Sequence, residues 1–238
     1  MGLSYARVAK DEAKERVLCA ARARRAFAVF TPGATVAAEA QRDACLLALL
    51  SEADLLLADG VGVSLAARLA GEGKIETVRG IELAEDLLAA AAREGLRVFF
   101  YGGREGVAVH AAAAMRRRYP NLLIRCASGY GKDPMDDVLA FSPHLLFVCL
   151  GVPRQEAYIA KNAARFSCAC LGLGGSFDVW SGSVRRAPRA LTRMGLEWLW
   201  RTLFDVRRVS RLLPLPLYFG KCAAVGVRKL LHKPQKTR

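Results

Sequence analysis

RVFFYGGREGVAVHAAAAM (Arg97–Met115) decides the fold. Val98–Tyr101 is apolar without alternation, the pattern of a strand buried on both faces of a parallel sheet. Gly102 and Gly103 let the chain turn, and an alanine-rich helical segment follows at once. The same β-turn-α unit recurs along the chain. Further apolar runs are AFAVF (Ala26–Phe30), DLLLA (Asp54–Ala58), LLIRC (Leu122–Cys126), HLLFVCL (His144–Leu150) and CACLGL (Cys168–Leu173). Helical segments are expected between them at 34–50, 61–71, 80–94, 105–119, 133–141 and 154–165. The strand exits carry glycine (DGVG, YGGREG, SGYG, LGVPRQ, GLGG). This predicts an α/β fold: an open, mostly parallel Rossmann-like sheet with helices on both faces and ligands at the carboxyl ends of its strands.

Composition agrees with one substantial core. The chain has 238 residues, 53% hydrophobic and 24% charged, which excludes a disordered tail, a disulfide mini-protein and a collagen-like chain. Its net charge of +14 is unevenly placed. Residues 1–184 carry 22 basic and 20 acidic side chains, whereas residues 185–238 carry 14 basic ones against Glu197 and Asp205. The expected division is therefore an α/β body over 1–184 and a cationic appendage over 185–238. Anionic surfaces are the natural partners of such an arm. The nearly neutral body argues against a nucleic-acid site there.

Cys19, Cys45, Cys126, Cys149, Cys168, Cys170 and Cys222 are scattered, with no CxxC pair, and the three histidines are isolated. No structural metal site is expected, and a reducing compartment fits. The N-terminus lacks a basic-then-apolar leader, and DEAKERVLCAARARR reads as a charged helix. The stretch LLPLPLYFGKCAAVGV (Leu212–Val227) is interrupted by Pro214, Pro216 and Lys221 and falls short of the ~20 residues of a spanning helix. It suits lying on a membrane better than crossing one.

A helix is expected from about Pro188 to Leu213. Leu191, Met194, Leu196, Trp198, Leu199, Leu203, Val206, Val209 and Leu212 share one face. Arg189, Arg193, Arg201, Arg207, Arg208 and Arg211 share the remaining arc with Trp200 and Phe204. Arginines among aromatics suit a lipid headgroup layer. The apolar face equally suits packing on the body or on a second copy of the chain.

Four stretches carry candidate chemistry. In ADLLLADGVGVSLAARL (Ala53–Leu69), Asp59 leaves a buried strand beside Gly60; it reads either as a general base for a sugar hydroxyl or as a helix cap. In the quoted stretch, the turn at Gly102 and Gly103 heads a helix whose N-terminus attracts phosphate, and Arg104 adds charge or is simply solvated. In LGVPRQEAYIAKN (Leu150–Asn162), Gly151 and Pro153 place Gln155 and Glu156 in a first helical turn. Gln155 has the groups to bond a sugar or uracil, and Glu156 the charge to complement the helix dipole. In GLGGSFDVWSGSVRRAPRAL (Gly172–Leu191), Gly174, Gly175, Asp178, Arg185 and Arg186 suit a loop folding around a phosphorylated ligand, with a turn-forming bond as the plain alternative for Asp178. These spacings describe a phosphate-friendly crevice and a cationic arm without naming a reaction.

In order, TPGATVAAEA, ADLLLADGVGV, Arg79–Leu83, VFFYGGREGVA, GVPRQE, GGSFDVWSGSVRRAP and GLEWLWR make the chain resemble the WecG/TagA/CpsF glycosyltransferase family (glycosyltransferase family 26) from about Thr31 to Arg211. The resemblance implies an inverting, metal-independent enzyme without a cofactor. It would move a sugar from a UDP-sugar to a polyprenyl-diphosphate-linked acceptor in cell-surface polysaccharide synthesis, peripheral on the inner face of the plasma membrane. It implies Asp59 as the base. Donor or substrate contacts fall to Thr31, Gly33, Gly60, Arg79, Gly80, Gly102, Gly103, Arg104, Tyr130, Gly151, Pro153, Gln155, Glu156, Gly174, Gly175, Phe177 and Asp178. The arginines Arg185, Arg186, Arg189, Arg193, Arg201, Arg207, Arg208 and Arg211 fall to the acceptor diphosphate and membrane. The chain departs from the common pattern at Gly33 (usually Asn), Glu82 (Asp), Ser128 (His) and Asp205-Val206 (Glu-Pro). The transferred sugar is therefore N-acetylmannosamine or another hexose. Two other readings are a nucleotide-binding oxidoreductase, for which the GxGxxG fingerprint and its acidic partner are missing, and a non-catalytic module that binds anionic surfaces.

Overall fold

A computed structural model describes residues 2–184 and 212–231. Six strands, β1 (Phe27–Phe30), β2 (Leu55–Leu56), β3 (Arg97–Gly102), β4 (Leu123–Ala127), β5 (Leu145–Cys149) and β6 (Ala169–Gly172), form one sheet in the order β2-β1-β6-β5-β3-β4. Every pairing is parallel. The helices are α1 (Lys10–Arg22), α2 (Ala34–Ala40), α3 (Ala44–Ser51), α4 (Val61–Leu69), α5 (Gly80–Glu94), α6 (Val107–Arg118), α7 (Met135–Phe141), α8 (Arg154–Asn162), α9 (Ser176–Trp180) and α10 (Leu215–Leu231). The expected open α/β sheet is present.

The absence of alternation in the strands has a direct cause. Side chains of a strand point to opposite faces in turn, and here both faces are covered. Val98 and Phe100 of β3 pack with α1, α5, α6 and α9, while Phe99 and Tyr101 pack with α3, α7 and α8. Phe100 lies at the centre of the first layer, its ring 4.5 Å from Phe177, 5.6 Å from Phe147 and 5.5 Å from Trp180. Trp180 also donates its indole N–H to Glu85 at 3.2 Å. These contacts hold the short α9 against the sheet and so place the glycine turn before it.

Two expected elements differ. The helix foreseen at 34–50 is two helices, because the Asp43 carboxylate accepts from the amides of Cys45 and Leu46 at 2.9 and 3.1 Å and caps a new start. The prolines after Leu212 are expected to interrupt the stretch, yet it forms α10. Pro214 precedes that helix and Pro216 sits in its first turn, where backbone N–H groups have no helical partner to lose. Tyr218, Cys222 and Gly226 turn inward onto α2 and α4, and any side chain at 226 would run into the Leu69 carbonyl. Lys229 pairs with Glu72, which Arg7 also meets at 3.2 Å. No helix among the described residues is long and apolar enough to cross a membrane.

Strand order fixes where a ligand fits. From β3 the chain moves outward to β4, whereas from β5 it moves inward to β6; β1 leads outward to β2, whereas β6 leads back to α9 against α6. Crevices open at the carboxyl ends where such paths diverge.

Candidate active site

Every strand delivers a candidate residue to this carboxyl edge. At the β1–β2 end, Asp59 forms an isolated parallel bridge with Gly33, and Val78 donates to the Ala58 carbonyl at 2.9 Å. The second bond draws the segment before α5 alongside β2, so that Arg79 and Asp59 each follow a residue of that bonded pair. Gly80 lies under Thr31: a Cβ there would sit 2.5 Å from Thr31 Oγ1. Thr31, Gly33, Asp59, Arg79 and Gly80 therefore form one group although they are spread over 50 positions of sequence. Arg79 makes an ion pair with Glu82 at 2.9 Å, which settles its guanidinium at the start of α5. Asp59 is half-buried, and the N-cap of α4 is Gly60 (φ 79°), a left-handed position that glycine takes without steric cost.

The β3–β4–β5 end forms a second group. Gly103 donates to the Cys149 carbonyl at 2.9 Å and Gly129 donates to the Gly103 carbonyl at 3.0 Å. Gly102 (φ 133°) lies so near β5 that a Cβ would collide with Cys149. Arg104 and Tyr130 are exposed on this rim, Tyr130 with 64% of its surface open, and Gly151 and Pro153 lead into α8. The turn after β3 enters α6 through Gly106, itself left-handed. An exposed aromatic ring beside a helix N-terminus can take a nucleobase and a phosphate together.

Between the groups, Gln155, Glu156 and Phe177 lie deeper than expected. Gln155 is 4% exposed; its Oε1 accepts from Gly174 N at 2.9 Å and its Nε2 donates to Glu156 Oε1 at 2.9 Å. These bonds use the oxygen and one N–H of the amide expected to bond a sugar or uracil. Glu156 is buried too, and burial pushes its carboxyl pKa upward. Phe177, stacked on Phe100 and 1% exposed, supports the loop from beneath. Gly174 and Gly175 form the turn above it, and the Asp178 carboxylate curls back, with Oδ2 at 3.4 Å from the place of a Cβ on Gly175. Gly175 heads a helix of only five residues, so its dipole is slight.

The expected acceptor arginines, Arg185, Arg186, Arg189, Arg193, Arg201, Arg207, Arg208 and Arg211, lie outside the described residues. Among the described residues, no three His, Cys, Asp or Glu side chains converge as metal ligands. A cavity of about 90 Å³ beneath α8, lined by Ala26, Asp54, Ile159 and Cys170 among others, touches none of the candidates. Sequence reasoning missed Gly129, whose amide bond to Gly103 ties the β4 exit to the β3 turn. The Ser-Gly-Tyr turn was the signal for it.

Residues 1–231 match the model of the Glycosyl transferase WecG/TagA/CpsF family. The chain belongs to that family. It is 38% identical over 195 residues to an N-acetylglucosaminyldiphosphoundecaprenol N-acetyl-beta-D-mannosaminyltransferase of Bacillus spizizenii, covering 80% of this chain and 76% of the relative. Proteins of the same name from Bacillus subtilis and Staphylococcus aureus are 33% identical over 195 residues (80% and 76% covered) and 32% identical over 182 residues (74% and 72% covered). The WecG/TagA/CpsF assignment makes the protein a glycosyltransferase.

Proposed function

We propose that this glycosyltransferase moves N-acetylmannosamine or another hexose from a UDP-sugar to a polyprenyl-diphosphate-linked saccharide, with inversion and without a metal ion, in cell-surface polysaccharide synthesis. The observation that carries the reading is the position of Asp59: half-buried, bridged to Gly33 at the mouth of the crevice, beside Thr31 and Arg79. The names of the relatives support the acceptor, since each acts on an undecaprenol-diphosphate sugar.

In this mechanism Asp59 takes the proton of the acceptor hydroxyl as that oxygen attacks the anomeric carbon. The bond from that carbon to the UDP oxygen breaks, and its electron pair leaves with the diphosphate. One displacement inverts the anomeric centre. The developing charge falls to the N-terminus of α6 and Arg104, together with the arginines from Arg185 onward. Tyr130 offers its face to the uracil. The 185–238 region serves as the acceptor and membrane arm, peripheral on the inner face. Its helix α10 supports this role with exposed Leu217, Val227 and Leu231 next to Lys221 and Arg228.

The test is UDP release in lipid-containing medium with a prenyl-diphosphate-sugar acceptor. Asp59→Asn should lose about 10²–10⁴-fold in kcat, the usual contribution of a positioned base, and wild-type turnover should survive EDTA. Near-normal turnover by the variant removes Asp59 from the mechanism; loss to EDTA refutes metal independence.

A further inference from the structure

Gln155 and Glu156 occupy a place that the family's chemistry does not explain. An amide side chain has two nearly isosteric orientations, and only its partners choose between them. Here one partner, Gly174 N–H, can only donate, and the other, Glu156 Oε1, accepts. A flip would set N–H against N–H and oxygen against oxygen. The amide is also wedged: a Cβ on Gly172 would stand 3.0 Å from Gln155 Nε2 and 3.1 Å from Phe30. Both side chains are nearly closed to solvent, and Glu156 Oε2 is buried with no hydrogen-bond partner.

We propose that Glu156 is a positioning residue: its carboxyl fixes the orientation of the Gln155 amide, which through Gly174 N–H sets the shape of the Gly172–Gly175 turn on the donor side of the crevice. The raised carboxyl pKa agrees with the geometry. A lone buried carboxylate would be costly, and Oε1 accepts from the Gln155 amide whichever form the carboxyl takes. Glutamine at 156 presents the same acceptor without charge and is the natural rescue. The functional part of this inference rests on the UDP-sugar reading; the clamp itself does not.

The experiment compares wild type, Glu156→Leu and Glu156→Gln in the full-length protein. Donor KM, acceptor KM, calorimetric UDP affinity and melting temperature are measured, with proton exchange of the Gln155 side-chain amide followed by NMR. Glu156→Leu should speed that exchange and raise donor KM and UDP Kd about tenfold, the effect of one lost hydrogen bond, with acceptor KM little changed. Glu156→Gln should restore all of these to within about threefold of wild type, a band narrower than that single bond. A role in stability alone would lower the melting temperature and leave donor KM unmoved, which overturns the proposal. So does a Gln variant as impaired as the Leu variant. If Glu156→Leu does not fold, unprotected Gln155 exchange in the wild type or a tenfold donor defect in Glu156→Gln overturns it alone. Wild type that binds no UDP defeats the donor reading instead, and the exchange data then judge the clamp separately.

Discussion

Gly80 is the first residue of α5, where alanine ordinarily favours a helix by about 0.5–1 kcal/mol over glycine. Against that stands the 2.5 Å approach of a Cβ to Thr31 Oγ1, an overpacking that costs about 1–3 kcal/mol. The clash outweighs the propensity, so Gly80→Ala should lower the melting temperature and displace Thr31. Thr31→Ala in the same chain should relieve the clash, giving a non-additive double-mutant cycle. Additive losses would show that the two side chains do not meet. At Glu156 the sign of the pH effect follows from its raised carboxyl pKa. A proton bound more tightly by the folded state stabilises it fully below the group's unfolded pKa of about 4.3, and that contribution is lost as pH rises through the folded pKa. The melting temperature of wild type should therefore fall relative to Glu156→Gln as pH rises above about 4.3. A constant difference across that range would mean that the carboxyl ionises normally.

Among the elements, α9 tests whether Phe177 serves the ligand or the core. Its ring is stacked at 4.5 Å on Phe100 and 5.9 Å from Trp180. Phe177→Leu should cost about 1–2 kcal/mol of stability by denaturant titration while UDP affinity at low temperature stays near wild type. A loss of affinity with stability intact would return Phe177 to the donor site. The strands themselves were legible in the sequence, since burial on both faces leaves continuous apolar runs such as Val98–Tyr101, and the glycines at their exits marked the crevice. Less legible was anything decided by a single side-chain bond. The cap by Asp43 splits a helix that periodicity alone extends. The prolines before and within the first turn of α10 looked like breakers because the start of that helix is set by its packing on α4. At Gln155 sequence shows the amide but not the Gly174 N–H that donates to it. Thr31, Asp59 and Arg79 were each visible as motifs, but their assembly depends on the Val78–Ala58 bond, which no local pattern announces.

For the whole molecule, charge and apolar surface both act to bring the enzyme to a lipid-borne acceptor. Basic side chains near an anionic leaflet contribute about 1 kcal/mol each and are screened by salt, whereas a large aliphatic side chain moved out of water contributes about 1.5–3 kcal/mol and is not. Helix α10 carries both: Leu217, Val227 and Leu231 are 59%, 54% and 76% exposed on one arc, with Lys221 and Arg228 beside them. Its opposite side is fixed to α2 and α4 through Tyr218, Cys222 and Gly226, so the outward face is presented on a rigid support. The protein should float with vesicles containing phosphatidylglycerol and retain part of that binding at high salt. Replacing Leu217, Val227 and Leu231 together by Asp should abolish the salt-resistant part and leave the melting temperature within a few degrees, since exposed substitutions shift stability by only about 0.5 kcal/mol each. Retention of salt-resistant flotation by the triple variant would remove α10 from the lipid surface and leave membrane contact to the arginines between 185 and 211.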